Sequence, residues 1–223
     1  MGRLIVIDGL DGSGKQTQTQ LLAQRLTEKS IGVKQITFPT YTESSALIRL
    51  YLDGELGALD EVNVYAASTF YAVDRYASYC RDWKEDYLAN KLVLTDRYVT
   101  ANIIHQMGKL PKDRWEDYLN WVNDLEYVRF GLPKPDLVLY LELPIEVSCR
   151  LLEKRYAGDD SKKDLHERDS AYLRACHETA SFAARRLGWQ VVHCGDGTEG
   201  IRTPEEIANE IEALVTQRFF KEA

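Results

Sequence analysis

Residues 3–17 read Arg3-Leu4-Ile5-Val6-Ile7-Asp8-Gly9-Leu10-Asp11-Gly12-Ser13-Gly14-Lys15-Gln16-Thr17, and this stretch decides the fold. The apolar run 4–7 is rich in β-branched residues, as expected of a central strand buried on both faces of a parallel sheet. A glycine-rich turn follows. From Lys15 to residue 29 the pattern becomes helical, with Leu21, Leu22, Ala23 and Leu26 as the apolar side. The turn matches most of G-x-x-x-x-G-K-[ST], in the strand–loop–helix setting that gives this motif its meaning. Its glycines allow tight turns that point successive backbone N–H groups into one hollow. The helix behind adds the positive end of its dipole, and Lys15 adds a point charge suited to β- and γ-phosphates. Gly9, Leu10, Asp11, Gly12, Ser13, Gly14, Lys15, Gln16 and Thr17 are thus the expected phosphate cradle.

Further strands are expected at 33–38, 91–95, 137–143 and 189–193, the second ended by Pro39. Helical patterns fall at 44–52, 61–88, 101–106, 114–127, 145–154 and 165–187, and a last helix starts at Pro204. Strands alternating with helices predict an α/β fold: a five-stranded parallel sheet with helices on both faces. One domain accounts for residues 1–223. The polar, turn-rich segment about 155–164 is the expected short lid. Ligands of such sheets bind at the carboxyl ends of the strands. The residues after each strand therefore matter most, and Asp96-Arg97 follows the third. Asp96 is the natural second handle for a metal or its water, in the Walker B role. Gln16 stands where Ser or Thr normally holds Mg²⁺; its amide oxygen can ligate the ion or one of its waters. Thr17 lies about 100° further round the helix.

Composition narrows the function. A formal charge of −7 argues against a nucleic-acid partner held on a broad basic face. The first apolar run is too short for a signal peptide or a membrane span, so no membrane association and a cytoplasmic location are expected. Cys80, Cys149, Cys176 and Cys194 lack redox or metal spacing and read as incidental thiols. A guanine-reading N-K-x-D is missing: the nearest string, Asn90-Lys91-Leu92-Val93, lacks the Asp and precedes its strand. A motor needs a longer chain. A small kinase fits, since it needs cations converging on two phosphate groups.

At this point the sequence resembles the thymidylate kinase (dTMP kinase) family of P-loop nucleoside monophosphate kinases. Asp96-Arg97-Tyr98 resembles that family's D-R-Y, Asp8-Gly9-Leu10-Asp11 its E-G-x-D, and Phe38-Pro39 its F-P. Residues 70–75, Phe70-Tyr71-Ala72-Val73-Asp74-Arg75, resemble its F-x-A-x-R helix, and His166-Glu167-Arg168 with Tyr172-Leu173 the segment after its lid. The ordered set runs through nearly the whole chain. The resemblance implies transfer of the γ-phosphoryl of ATP to dTMP, with Mg²⁺, and a homodimer. Asp11 would accept from the ribose 3′-hydroxyl, Tyr71 would stack on thymine, and Arg75 would reach its O4 edge. Asn102 would pair with the base through its amide, and Phe38 would pack against the nucleoside. Arg97 would grip the acceptor phosphate, a task for a forked guanidinium.

Some positions depart from the family pattern. Tyr41 stands where many relatives carry an Arg to the acceptor phosphate. His105 falls where many have an aromatic near the ribose 2′ position, and Ala101 replaces a common Ser. Gly12 stands where some relatives have a base; those without it resemble a class that supplies lid arginines. Arg155 leads the candidates for that role, before Lys162, Lys163 and Arg168. A kinase for another nucleoside monophosphate or a deoxynucleoside, or a weakly catalytic nucleotide-binding regulator, are the alternatives; Gln16 and Tyr41 favour the last.

Overall fold

The computed structural model describes residues 2–58, 61–156, 170–197 and 200–220, with side chains except at 152–156 and 170. Among these, five parallel strands form one sheet: β1 (Arg3–Gly9), β2 (Val33–Thr37), β3 (Leu92–Asp96), β4 (Leu137–Glu142) and β5 (Gln190–His193). Their spatial order is β2-β3-β1-β4-β5. The expected sheet is therefore present, with strand ends moved by one or two residues. The helices are α1 (Lys15–Glu28), α2 (Ala46–Leu52), α3 (Val64–Ser78), α4 (Lys84–Leu88), α5 (Val99–His105), α6 (Trp115–Asn123), α7 (Ile145–Tyr156), α8 (Ser170–Leu187) and α9 (Pro204–Phe219).

The alternation of β1 shows why this run folds as a buried strand. Leu4 and Val6 enter one core with residues of α5, α6 and α8, such as Ile104, Tyr118 and Ala180. Ile5 and Ile7 enter the other, with Leu22 and Leu26 of α1 and Ile207, Ile211 and Val215 of α9. All four are fully buried. Each such side chain contributes about 1.5–3 kcal/mol, so both faces of β1 anchor the molecule. The amino end of α9 is fixed locally: the Thr203 side chain accepts from Glu206 N–H, Glu206 reaches back to Thr203 N–H, and Pro204 opens the helix.

Two expected helices differ. The single helix over 61–88 begins only at Val64, where the Asn63 side chain accepts from Tyr65 and Ala66 N–H. It is then interrupted by a π-helical turn, Tyr79–Trp83. That wider turn sets the Tyr79 and Trp83 rings edge to face, 4.6 Å apart, with Trp83 wholly buried. The helix expected at 114–127 is α6 followed by a second π-helical turn, Asp124–Arg129. The expected helix 165–187 is described from Ser170 onward. Most of the lid at 155–164, including Lys162 and Lys163, and also Arg168, lies outside the described residues.

The register brings the ends that matter side by side. Ile7 pairs with Asp96, Gly9 pairs with Leu141, and Arg97 N–H donates to Ile7 O at 3.0 Å. The turn after β1 and the Asp96-Arg97 pair after β3 thus share one sheet edge.

Candidate active site

The β1–α1 turn is tight by necessity. A Cβ on Gly9 would fall 2.6 Å from Ser13 Oγ and 2.7 Å from Leu141 O, so the close approach to β4 requires glycine. Gly14 sits at φ 85° as the residue before α1 and has no side chain to cap that amino end. The first N–H groups of α1 therefore remain for a ligand, as an anion site needs. Lys15 is buried, its Nζ donating to Leu10 O at 2.9 Å and lying 3.5 Å from Asp11 Oδ1. Gln16 and Thr17 are both exposed on the first turn of α1. Across the turn, Ser148 Oγ of α7 donates to Asp11 O at 2.6 Å, tying α7 to the loop.

Arg97 meets the loop from β3. It has φ 64°, a left-handed backbone that costs a non-glycine residue about 1–3 kcal/mol. Thr95 Oγ1 holds it by donating to Arg97 O at 2.7 Å. The guanidinium ion-pairs with Asp11 through Nη2. Its Nη1 lies 3.3 Å from His105 Nε2, and since Arg cannot accept, that nitrogen of His105 is the acceptor.

Charge at this edge is crowded. Burial disfavours ionisation of Asp11, but Arg97 and then Lys15 outweigh it and hold the carboxyl well below the usual carboxylate range. Asp96 shifts the other way: burial raises it, against the pull of Lys15 and Arg97. Asp8 is likewise raised by burial, although it accepts from Gly9 N–H at 2.8 Å and Thr100 Oγ1 at 2.5 Å. Burial, and next the charge of Arg97, lower Lys15. The site therefore holds its cations against carboxylates in a largely buried setting, and an incoming phosphate would compete for both.

A narrow cleft opens beside Arg97, lined also by Phe38, Pro39, Tyr71, Arg75, Ala101, Asn102, His105 and Gln106. Its free space is about 20 Å³, little more than a water needs. Phe38 is buried, 5.9 Å from the Tyr98 ring. Tyr71 is half-buried, with its ring perpendicular to Tyr51. Tyr41 stands 60% exposed. Its carbonyl accepts from Arg49 Nη1, and the next carbonyl, of Thr42, accepts from Arg49 Nη2.

Two expectations change in detail. Arg75 is fully buried and forked onto Glu126, Nε to Oε2 and Nη2 to Oε1, both at 2.6 Å. Asn102 cannot offer its whole amide, because Nδ2 already donates to Ser68 O at 3.1 Å and Glu126 Oε1 at 3.2 Å. Three residues that sequence reasoning missed belong here. Glu126 continues the buried helical spacing of Tyr118 and Val122, and a carboxylate at such a step was the available signal. Gln106, one turn after Asn102, is buried with Oε1 lacking a partner among the described residues. Asp74 is buried and accepts from Thr40 N–H at 2.8 Å, Thr40 Oγ1 at 2.6 Å and Ser44 Oγ at 2.5 Å, tying the segment after β2 to α3. Arg155 lies at the end of α7, but its side chain is outside the described set.

The parallel sheet with its glycine-rich turn between β1 and α1 defines a P-loop nucleotide-binding protein. The thymidylate kinase pattern matches residues 7–203. Thymidylate kinase of Mycobacterium tuberculosis is 31% identical over 201 residues, covering 85% of this chain and 90% of its own. A probable thymidylate kinase of Thermococcus onnurineus is 30% identical over 97% of this chain and 98% of its own. The solved thymidylate kinase of Candida albicans superposes with a TM-score of 0.70 at 21% identity, covering 97% of this chain and 92% of that one, which speaks for the fold. The chain belongs to the thymidylate kinase family, ATP-dependent kinases that convert dTMP to dTDP.

Proposed function

We propose that this chain transfers the γ-phosphoryl of ATP to dTMP at the shared edge of β1 and β3, with Lys15 on the donor phosphates and Arg97 on the acceptor phosphate. The observation that carries this reading is the meeting of both cations on Asp11. An ionised phosphate nucleophile needs no strong base, so alignment and charge stabilisation supply the rate. Lys15 and the free N–H groups of α1 bind and orient the donor. Arg97 holds the attacking oxygen in line, and Asp11 is released to accept from the ribose 3′-hydroxyl. Phe38 and Tyr71 sandwich the base and exclude water; Arg75 and Asn102 face its edge, and His105 lies on the sugar side. Tyr41 sits at the rim as a neutral hydroxyl. Arg155 covers the transferring group from the lid.

Asp96 fits a role in holding Mg²⁺: its Oδ1 is buried without a hydrogen-bond partner among the described residues. Gln16, exposed at the start of α1, is the companion. Bound there, the ion would neutralise charge on the donor phosphates. A homodimer is proposed along α3, where Val73 and Tyr76 are each 45% exposed. No described helix is long and apolar enough to cross a membrane; a cytoplasmic enzyme is the proposed setting.

The test is ADP release from Mg-ATP with the pure protein and a panel of nucleosides and monophosphates. A maximum on dTMP supports the reading. A maximum on AMP, GMP or free thymidine reassigns the acceptor, and no acceptor-dependent ADP points to a regulator.

A further inference from the structure

We propose that Glu126 is a positioning residue that fixes the hydrogen-bond polarity of the base-reading edge, and so makes the cleft select a thymine-type edge over a cytosine-type one. This rests on the reading of the cleft as the dTMP site. Glu126 is wholly buried in the π-helical turn Asp124–Arg129, 51 residues from Arg75 in sequence. Its two oxygens accept three bonds, two from Arg75 and one from Asn102 Nδ2. The second hydrogen of that amide goes to Ser68 O. Both neighbours of the Asn102 nitrogen are therefore acceptors that cannot donate. A flipped amide would set its oxygen against a carboxylate and a carbonyl, which bars the flip.

Two consequences follow for a ligand. Asn102 can offer only its carbonyl oxygen, an acceptor. Arg75 has spent Nε and one N–H of Nη2 on Glu126, and Nη1 reaches Tyr98 O at 3.3 Å. One N–H on each of Nη1 and Nη2 is left over, and the guanidinium can do nothing but donate. The edge thus reads donor from Arg75, acceptor from Asn102. Thymine offers a carbonyl beside N3–H, the complement of that pair. Cytosine offers an amino group beside a bare N3, the reverse at both places. A site built for one pattern leaves its buried groups unpaired against the other, which is the strong form of selectivity. Arg75 donates by its own chemistry; the carboxylate joins Ser68 O in fixing the Asn102 amide and holds donor and acceptor side by side.

The experiment compares kcat/KM for dTMP and dCMP on single preparations of wild type, E126Q, E126D and N102A. Because both acceptors meet the same sample, the ratio does not depend on how much of a variant is folded. In E126Q one carboxylate oxygen becomes an amide nitrogen, so in either orientation a donor meets an Arg75 N–H and the fork that aligns Arg75 with Asn102 is broken. The dTMP/dCMP ratio should fall at least tenfold, through KM for dTMP more than through kcat. E126D keeps a charge beside Arg75 and hence the fold, but draws its oxygens back from Asn102; a smaller drop in the same direction is expected. A role in folding alone would lower both acceptors together. A ratio within twofold of wild type in E126Q and E126D, with a collapse in N102A, overturns the positioning role and leaves the cleft as the base site. An unchanged ratio in N102A as well overturns the cleft assignment itself.

Discussion

Lys15 and Arg97, 82 positions apart and on different strand–helix turns, converge on a single oxygen, Asp11 Oδ1. Each cation here has an anion in the resting site that a substrate phosphate can replace. Exchanging one charged partner for another in a dry setting avoids leaving either cation uncompensated, which would cost several kcal/mol.

Removing either cation should slow chemistry more than binding. Loss of a group that acts mainly on transition-state charge costs about 3–4 kcal/mol. Lys15→Ala and Arg97→Ala are therefore each expected to lower kcat by roughly a hundredfold or more. Steady-state kinetics with saturating Mg-ATP and dTMP measure this; near-normal kcat in both variants would discard the assignment.

Asp8 predicts a stability effect with a defined sign. Its carboxyl is raised above its ordinary value of 3.8 by burial. Below that value both folded and unfolded chains carry the proton, and burial costs nothing extra. As pH rises through the folded-state value, the ionised form is the poorer one in the folded protein, and stability is lost. Asp8→Asn keeps an acceptor for Gly9 N–H without the charge. The variant should melt higher than wild type near neutral pH, each kcal/mol showing as about 2–4 °C at this chain length. The gain should shrink as pH falls toward the ordinary carboxyl value. Thermal melts across that range test it, and a gain that grew in acid would refute the burial argument.

Asp74 predicts a binding effect at a distance from the chemistry. Asp74→Ala strands Thr40 N–H and leaves the Thr40 and Ser44 hydroxyls only each other and Thr42 Oγ1, at about 1–3 kcal/mol for an unsatisfied buried group. The segment after β2 carries Phe38 and Pro39 of the cleft wall, so KM for dTMP should rise by roughly tenfold while KM for ATP holds. Asp74→Asn, which retains one acceptor, should recover part of the loss. Equal changes in both KM values would mean that Asp74 supports the fold only.

What the sequence made legible was local. Residues 3–17 carry strand, turn and helix in one window, and Asp96-Arg97 announces itself by following a buried strand. The third and fourth strands show the same short apolar runs, so a parallel sheet could be read before its order was known. Glu126 was legible only as a carboxylate at a buried helical step; its meaning depends on Arg75 in another helix, far away in the chain. The use of the Asn102 amide was hidden for the same reason: its polarity is set by neighbours distant in the chain. The break at Tyr79–Trp83 went unseen since both halves share an apolar, helical composition.

The account depends most on Asp11 surrendering its two cations to phosphates. A crystal structure of the protein with dTMP and a non-hydrolysable ATP analogue measures this directly. Lys15 Nζ should lie on a β- or γ-phosphate oxygen and the Arg97 guanidinium on the dTMP phosphate, with the base between Phe38 and Tyr71. Both cations still on Asp11, with the nucleotides bound elsewhere, would contradict it.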